Sequence, residues 1–213
     1  MAHTTAESHT RKTRRRRPRI SKVTNAATAL ADFDRGLETY VLTFGQFSMM
    51  DAIMAILDKT GPADVALATW TAASADLRRS AELLHDKRFR SLRFIVDCSF
   101  PQRQPGYAQQ LLQLFGPDAI RTTRTHAKFA VITNDDWNVV VRTSMNLNEN
   151  PRLESLEVTD DEDFATWMLE LVDTIFEEET PDFVTKSRPE LTGMPGILPA
   201  SQVSMGHGVQ MGT

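Results

Sequence analysis

The chain has 213 residues, of which 41% are apolar and 24% charged, the composition of an ordinary globular protein with one core and room for tails. No run approaches the roughly 20 apolar residues that cross a bilayer, and no apolar h-region follows the basic start of the chain, so the expectation is a cytoplasmic protein without a membrane partner. The formal net charge of −4 conceals an asymmetry: residues 1–22 hold eight Lys/Arg against one Glu, and the remainder holds 16 basic against 27 acidic residues.

The first element is "RKTRRRRPRISK", Arg11 to Lys22, which has no apolar pattern to bury. Residues 1–30 are therefore expected to form a disordered basic arm. A density of arginine beyond what solvation requires favours contact with phosphate backbones through counterion release over a solubilising tail or a targeting signal. Arg11, Lys12, Arg14, Arg15, Arg16, Arg17, Arg19 and Lys22 are the candidate contacts.

Residues 31–179 read as one domain. In "FGQFSMMDAIMAILDKTGPA", Phe47, Met50, Ile53, Met54 and Leu57 share a helical face, and Gly61-Pro62 stops the helix. "DVALATW" reads as a buried strand, and "ASADLRRSAELLHDKRF" as an amphipathic helix with His85 near its C-terminal end. "LRFIVDCSF" is strand-like again and holds the single cysteine, Cys98, expected to be a buried structural thiol. One cysteine allows no internal disulfide and no cysteine-rich zinc site. "GYAQQLLQLFG" predicts a short helix and "DAIRTT" a short strand. The alternation is that of a sheet covered by helices, an α/β fold.

"AKFAVIT" and "NVVVRTSM" are β-branched runs joined by Asn134-Asp135-Asp136, which predicts a hairpin. Beyond it, Phe164, Trp167, Met168, Leu171, Val172, Ile175 and Phe176 fall at helical spacing inside an acidic segment. That segment, Glu154 to Asp182, has 12 acidic residues and no Lys or Arg. A solvated acidic face is the preferred reading; pairing with the arginine arm, in this subunit or another, is the sharper one. Residues 180–213, broken by Pro181, Pro189, Pro195 and Pro199, are expected to be a disordered tail.

The hairpin ends carry the candidate chemistry. His126 and Lys128 are two apart on an extended segment and so project to one face, where both can meet one anion. Strand pairing returns Ser144 and Asn146 to the same neighbourhood. Imidazole, ammonium, hydroxyl and amide together suit a phosphoryl group. Arg121, Arg124 and Arg142 add positive potential, Arg121 and Arg124 being further candidate nucleic-acid contacts. Trp70 and Trp137 read as core or interface anchors in preference to base-stacking platforms.

"HAK" at His126 to Lys128, "TSMN" at Thr143 to Asn146 and a downstream glutamate resemble the phospholipase D superfamily, over about residues 45–179. The resemblance implies an α/β/α sandwich with a mixed central sheet. The pattern departs from the family at two places: Thr133 stands where the family has Asp, with Asp135 and Asp136 nearby in the turn, and Thr143 stands where it has Gly. A single His-x-Lys copy implies a homodimer. By this resemblance His126 of one protomer forms a phosphohistidine and His126 of the other protonates the leaving oxygen, with Lys128, Asn146 and Ser144 contacting the phosphoryl oxygens. Glu157 orients the imidazole, with Glu154 as the second choice, and neither metal nor cofactor is required. The expected function is a metal-independent phosphodiesterase acting on DNA or RNA. The alternative is a non-catalytic nucleic-acid-binding or assembly protein of the same fold, and a third, less favoured reading is a phospholipid hydrolase.

Overall fold

A computed structural model describes residues 24–148 and 151–179, together with Pro181. The basic arm from Arg11 to Lys22 and the tail from residue 182 onward lie outside the described residues, so the expectations placed on them are not addressed by it.

The described chain opens with a short helix, α1 (Ala26–Ala29), started by Asn25, whose side chain accepts from the Thr28 amide at 2.9 Å. Ala26 and Leu30 are buried in the main core. The expected boundary at residue 30 therefore falls within residues that pack on the core. Next comes β1 (Glu38–Thr43), a strand the sequence reading passed over.

The helix α2 (Met49–Thr60) begins at a capping box in which Ser48 and Asp51 exchange hydrogen bonds of 2.9 and 3.2 Å, and it ends at Gly61 with φ +76°. The strand β2 (Ala63–Thr69) has only Asp64 exposed, which is why its sequence reads as a continuous apolar run. The helix α3 (Ser74–His85) stops short of the predicted end. Lys87, at φ +57°, turns the chain so that Phe89 opens β3 (Phe89–Asp97), with its ring buried, rather than closing the helix. A one-turn helix, α4 (Phe100–Arg103), leads into α5 (Pro105–Phe115) and then β4 (Ile120–Thr123). The predicted hairpin is β5 (Phe129–Thr133) and β6 (Asn138–Thr143), and Asn134 closes it by accepting from the amides of Asp136 and Trp137, both at 3.0 Å. The chain then forms β7 (Glu154–Asp160) and the long helix α6 (Glu162–Glu178).

The strands form a seven-stranded mixed sheet in the order β1-β7-β6-β5-β2-β3-β4. Strands β2, β3 and β4 run parallel; β5 is antiparallel to β2, and β6, β7 and β1 continue with antiparallel pairing. One face packs on α1, α2, α3 and α5 through residues such as Val65, Leu67, Phe94, Ile132, Val141 and Leu156. The other packs on α6 through Ala66, Ile95, Val131 and Val140. This is the expected α/β/α sandwich with a mixed central sheet. The acidic helix is placed to suit its dipole: Asp161 caps its first turn beside Glu162 and Asp163. Asp173 on its side pairs with Arg93.

Strand polarity follows from this ladder. The C-terminal ends of β1, β2, β3, β4 and β6 meet the N-terminal starts of β5 and β7 at one end of the sheet. Leu67, fully buried in the middle of β2, tests the central layer: Leu67→Ala should lower unfolding stability by about 3 kcal/mol in urea titrations, as for other buried leucines.

Candidate active site

His126 and Lys128 lie in the segment that crosses from β4 to β5, at the end of the sheet where the strand ends converge. This segment is not strand up to Phe129, although the ladder reaches one residue further, since the Thr143 amide donates to the Lys128 carbonyl at 3.2 Å. Its path is set by Asp97 at the end of β3. That carboxylate accepts from the Thr125 amide at 3.1 Å, from the Ser99 amide at 3.0 Å and from the Ser99 hydroxyl. Thr125 in turn accepts from the Ala127 amide at 3.0 Å, so the loop under His126 is held by a side-chain scaffold rather than by a ladder.

The two side chains do project together. The Lys128 ammonium lies 3.1 Å from His126 Nδ1, 3.3 Å from Nε2 and 3.0 Å from the His126 carbonyl. His126 is exposed and Lys128 half-buried. Burial lowers the Lys128 pKa from the usual lysine value, and the charge of Glu154 partly opposes this.

Ser144, just past β6, bonds through its hydroxyl to the Glu154 carboxylate and accepts from the Ser155 amide at 2.9 Å. Asn146 is positioned by its neighbour Leu147, whose amide donates to the Thr71 carbonyl at 3.2 Å and whose carbonyl accepts from Ala73 at 2.6 Å. These bonds draw the chain after β6 beneath the end of β2. Asn146 Oδ1 is buried without a hydrogen-bond partner, in a shallow depression shared with Thr43, Gly45, Asn148 and Glu154. Thr143 turns inward: its hydroxyl donates to the Ser155 carbonyl at 2.6 Å and accepts from the Met145 amide at 3.0 Å, tying the end of β6 to β7.

Glu157 does not join this group. It stands in register with Arg142 and forms an ion pair with it, and the Arg142 guanidinium lies over the Phe164 ring of α6 at 5.1 Å. The reason is the two-residue period of a strand. Glu154 shares its face with Leu156 and Val158, which pack on the helical layer that also takes Ala130 and Ile132, two and four residues beyond Lys128. Glu157 has the opposite parity. Alternation along "ESLEV", read outward from the core positions Leu156 and Val158, is the signal in the sequence that separates the two glutamates.

Arg121 is likewise a structural residue rather than a free cation. It donates to the carbonyls of Phe176, Pro117, Asp118 and Ile120 and lies 4.5 Å from the Phe176 ring. It thus serves the last turn of α6, where burial lowers its pKa and Asp118 opposes that shift. Arg124 is exposed just past β4, at the site end. Asp135 and Asp136 sit at the far turn of the hairpin, paired with Arg90 at 3.8 Å and Arg35 at 3.1 Å, and Thr133 pairs with Asn138 there. Trp137 packs on Phe33 at 6.1 Å and under Arg35 at 5.3 Å, as an anchor. Cys98 is half-buried rather than buried, because it lies just past β3 where the sheet ends. His85 occupies the last turn of α3.

Sequence reading missed the part that Trp70 and Arg103 play beside this group. Trp70, just past β2, contacts the His126 ring at 5.6 Å between centroids, and the Arg103 guanidinium lies over the same indole at 3.6 Å from its centre. Among the described residues no group of three His, Cys, Asp or Glu side chains is placed to hold a metal ion, and no helix is long and apolar enough to cross a membrane.

No protein-family model matches the chain, and no curated protein matches it. Among solved structures the fold is similar to part of the polyphosphate kinase of Porphyromonas gingivalis, with a TM-score of 0.50 and 13% identity over 68% of this chain and 27% of that one. This chain thus spans about a quarter of that enzyme's length. Lower scores are found with Nuc, a phospholipase D family member from Salmonella typhimurium (0.45, 9% identity, 67% and 97% of the two chains). NucT from Helicobacter pylori scores 0.47, with 15% identity over 68% and 99%. At these identities the likeness is one of fold alone.

The Glu154 charge can be tested directly at Lys128. Glu154→Gln removes the one contribution that raises the Lys128 pKa, so the ammonium should titrate at lower pH than in the wild type, as followed by NMR of the lysine side chain. An unchanged or higher value would separate Glu154 from the site.

Proposed function

We propose that the protein is a metal-independent phosphodiesterase acting on nucleic acid, assembled as a homodimer, with His126 as its nucleophile. The observation that carries this reading is the contact of the His126 ring with the Lys128 ammonium, beside the Ser144–Glu154 pair at one end of the sheet. In the first step an imidazole nitrogen of His126 attacks phosphorus and a P–N bond forms while the bond to the leaving oxygen breaks. The partner subunit's His126 gives that oxygen its proton. In the second step the same partner imidazole takes a proton from water, which displaces the phosphoryl group and restores His126. Lys128 and the amide of Asn146 stabilise charge on the non-bridging oxygens, with Ser144 assisting. Glu154, rather than Glu157, serves this site, where it holds Ser144 and partly opposes the lowering of the Lys128 pKa by burial.

Nucleic acid is preferred to lipid because of the eight Lys/Arg of residues 11–22, which suit a polyanion that an acidic domain would otherwise repel. The dimer is supported by what flanks the site. Tyr40 and Leu42 on the edge strand β1, Phe44 just past it and Leu153 just before β7 are 63%, 54%, 63% and 58% exposed. An edge strand carrying such side chains is a surface that favours a partner. The non-catalytic reading draws on the same site: Thr133 and Thr143 depart from the family pattern, and among the described residues no carboxylate is bonded to the His126 ring.

Cleavage of labelled oligonucleotides in EDTA tests the chemistry. Wild type should cleave, His126→Ala should lose cleavage, Glu154→Gln should lose about 100-fold or more, and Glu157→Gln should retain it. Binding without cleavage by the wild type would establish the non-catalytic reading instead. The assembly is tested by sedimentation: Leu42→Asp with Phe44→Asp should convert a dimer into a monomer of unchanged circular dichroism, and a wild type that is monomeric at micromolar concentration would remove the shared site.

A further inference from the structure

Beside His126 the protein holds an arginine that forms no ion pair with a carboxylate among the described residues. Arg103, at the end of α4, is exposed, yet its guanidinium is fixed. It lies 3.6 Å from the centre of the Trp70 indole, donates through one terminal nitrogen to the Trp70 carbonyl at 2.8 Å, and donates through Nε to Ser99 Oγ at 2.9 Å. The other terminal nitrogen has no hydrogen bond among the described residues. The nearest carboxylate in this network, Asp97, reaches Arg103 only through Ser99, and its oxygens are taken by the Ser99 amide and hydroxyl and by the Thr125 amide. Arg103 has no ion pair among the described residues, unlike Arg35, Arg79, Arg88, Arg93 and Arg142.

The same indole touches the candidate nucleophile, with 5.6 Å between the Trp70 and His126 ring centroids. Trp70 is therefore a shared plate that sets a fixed guanidinium at a fixed offset from the imidazole. Holding an arginine in place by stacking and two hydrogen bonds reduces the rotamer freedom lost on binding and leaves donors free, an arrangement suited to a second anionic oxygen group. With the ring already in contact with Arg103 and His126, Trp70 serves as a positioning residue rather than as a base-stacking surface.

We infer that Arg103, seated on Trp70, forms a subsite for the phosphate adjacent to the one at His126, so that the site recognises a polynucleotide strand by two successive phosphates in preference to an isolated phosphodiester. This rests on the phosphodiester-cleaving reading of the His126 site and adds a basis for substrate length. The basic arm can supply attraction to any polyanion; Arg103 supplies a register.

The test compares kcat/KM for a short single-stranded oligonucleotide with that for bis(p-nitrophenyl) phosphate, using wild type, Arg103→Gln and Arg103→Lys. The ratio of oligonucleotide to single-diester efficiency should fall about 10- to 100-fold in Arg103→Gln, the loss expected for one charge-assisted contact. Arg103→Lys, which keeps the charge without the planar stack, should give an intermediate ratio. A ratio unchanged in Arg103→Gln overturns the inference, as does a loss of equal size on both substrates. Should the wild type cleave neither substrate, the cleavage reading fails, and the subsite is decided by fluorescence anisotropy of the labelled oligonucleotide across a salt series. There the inference requires the salt slope to fall by about one in Arg103→Gln, and an unchanged slope overturns it.

Discussion

The antiparallel ladder between β2 and β5 is the pairing on which the rest of the site depends. It joins Asp64 to Thr133 and Ala68 to Phe129 in the middle of the sheet, between a parallel unit of β2, β3 and β4 and an antiparallel unit of β5, β6, β7 and β1. Parallel strands leave their C-terminal ends at one side, where a sheet of this kind places its crevice. Because β5 enters the sheet from that same side, the loop before it passes over the ends of β2 and β3. That is how His126 comes to Trp70 and how Thr125 comes to Asp97. A parallel β5 would place these residues at the other end.

Charge is distributed over this end with little duplication. Asp97 is engaged by backbone amides and a serine, and so acts as scaffold. Glu154 is engaged by Ser144 and acts on Lys128. Those two carboxylates are thereby committed to serine and lysine partners, while Arg103 stays unpaired among the described residues. The acidic helix α6 does not offset this balance, because it packs on the opposite face of the sheet, where Arg93, Arg121 and Arg142 bind or stack against it or its neighbours.

The strand period explains why Glu157 and Arg121 lie on the α6 face of the sheet. Arg142 and Glu157 face each other across β6 and β7 beneath α6, whereas Glu154, three residues earlier, falls on the opposite parity with Leu156. Arg121 stands beside Ile95 in register, a residue of the α6 core, so its guanidinium meets the carbonyls at the end of that helix. Each of these side chains looks equally cationic or equally acidic in a linear reading. Only the face decides which has a free charge.

Much of the architecture was legible because its signals are local. The capping box at Ser48 and Asp51, the stop at Gly61-Pro62, the apolar run of β2 and the Asn134 turn each act within a few residues, and the helices and the hairpin follow from them. The edge strand β1 was harder to see, because an edge buries only one face and leaves Tyr40 and Leu42 to solvent. Two-residue spacing and a hairpin were enough to bring His126, Lys128, Ser144 and Asn146 to one end of the sheet. What the sequence by itself determined was therefore the element types, the α/β class and the ends of the hairpin as the place of interest, since propensity, capping and periodicity are short-range. What tertiary structure alone decided was that Ser144 meets Glu154, that Arg121 reaches the carbonyl of Phe176 and that Trp70 lies between Arg103 and His126, because each contact depends on which strand lies beside which and in what direction, and pairing between distant segments leaves no short-range trace in the chain.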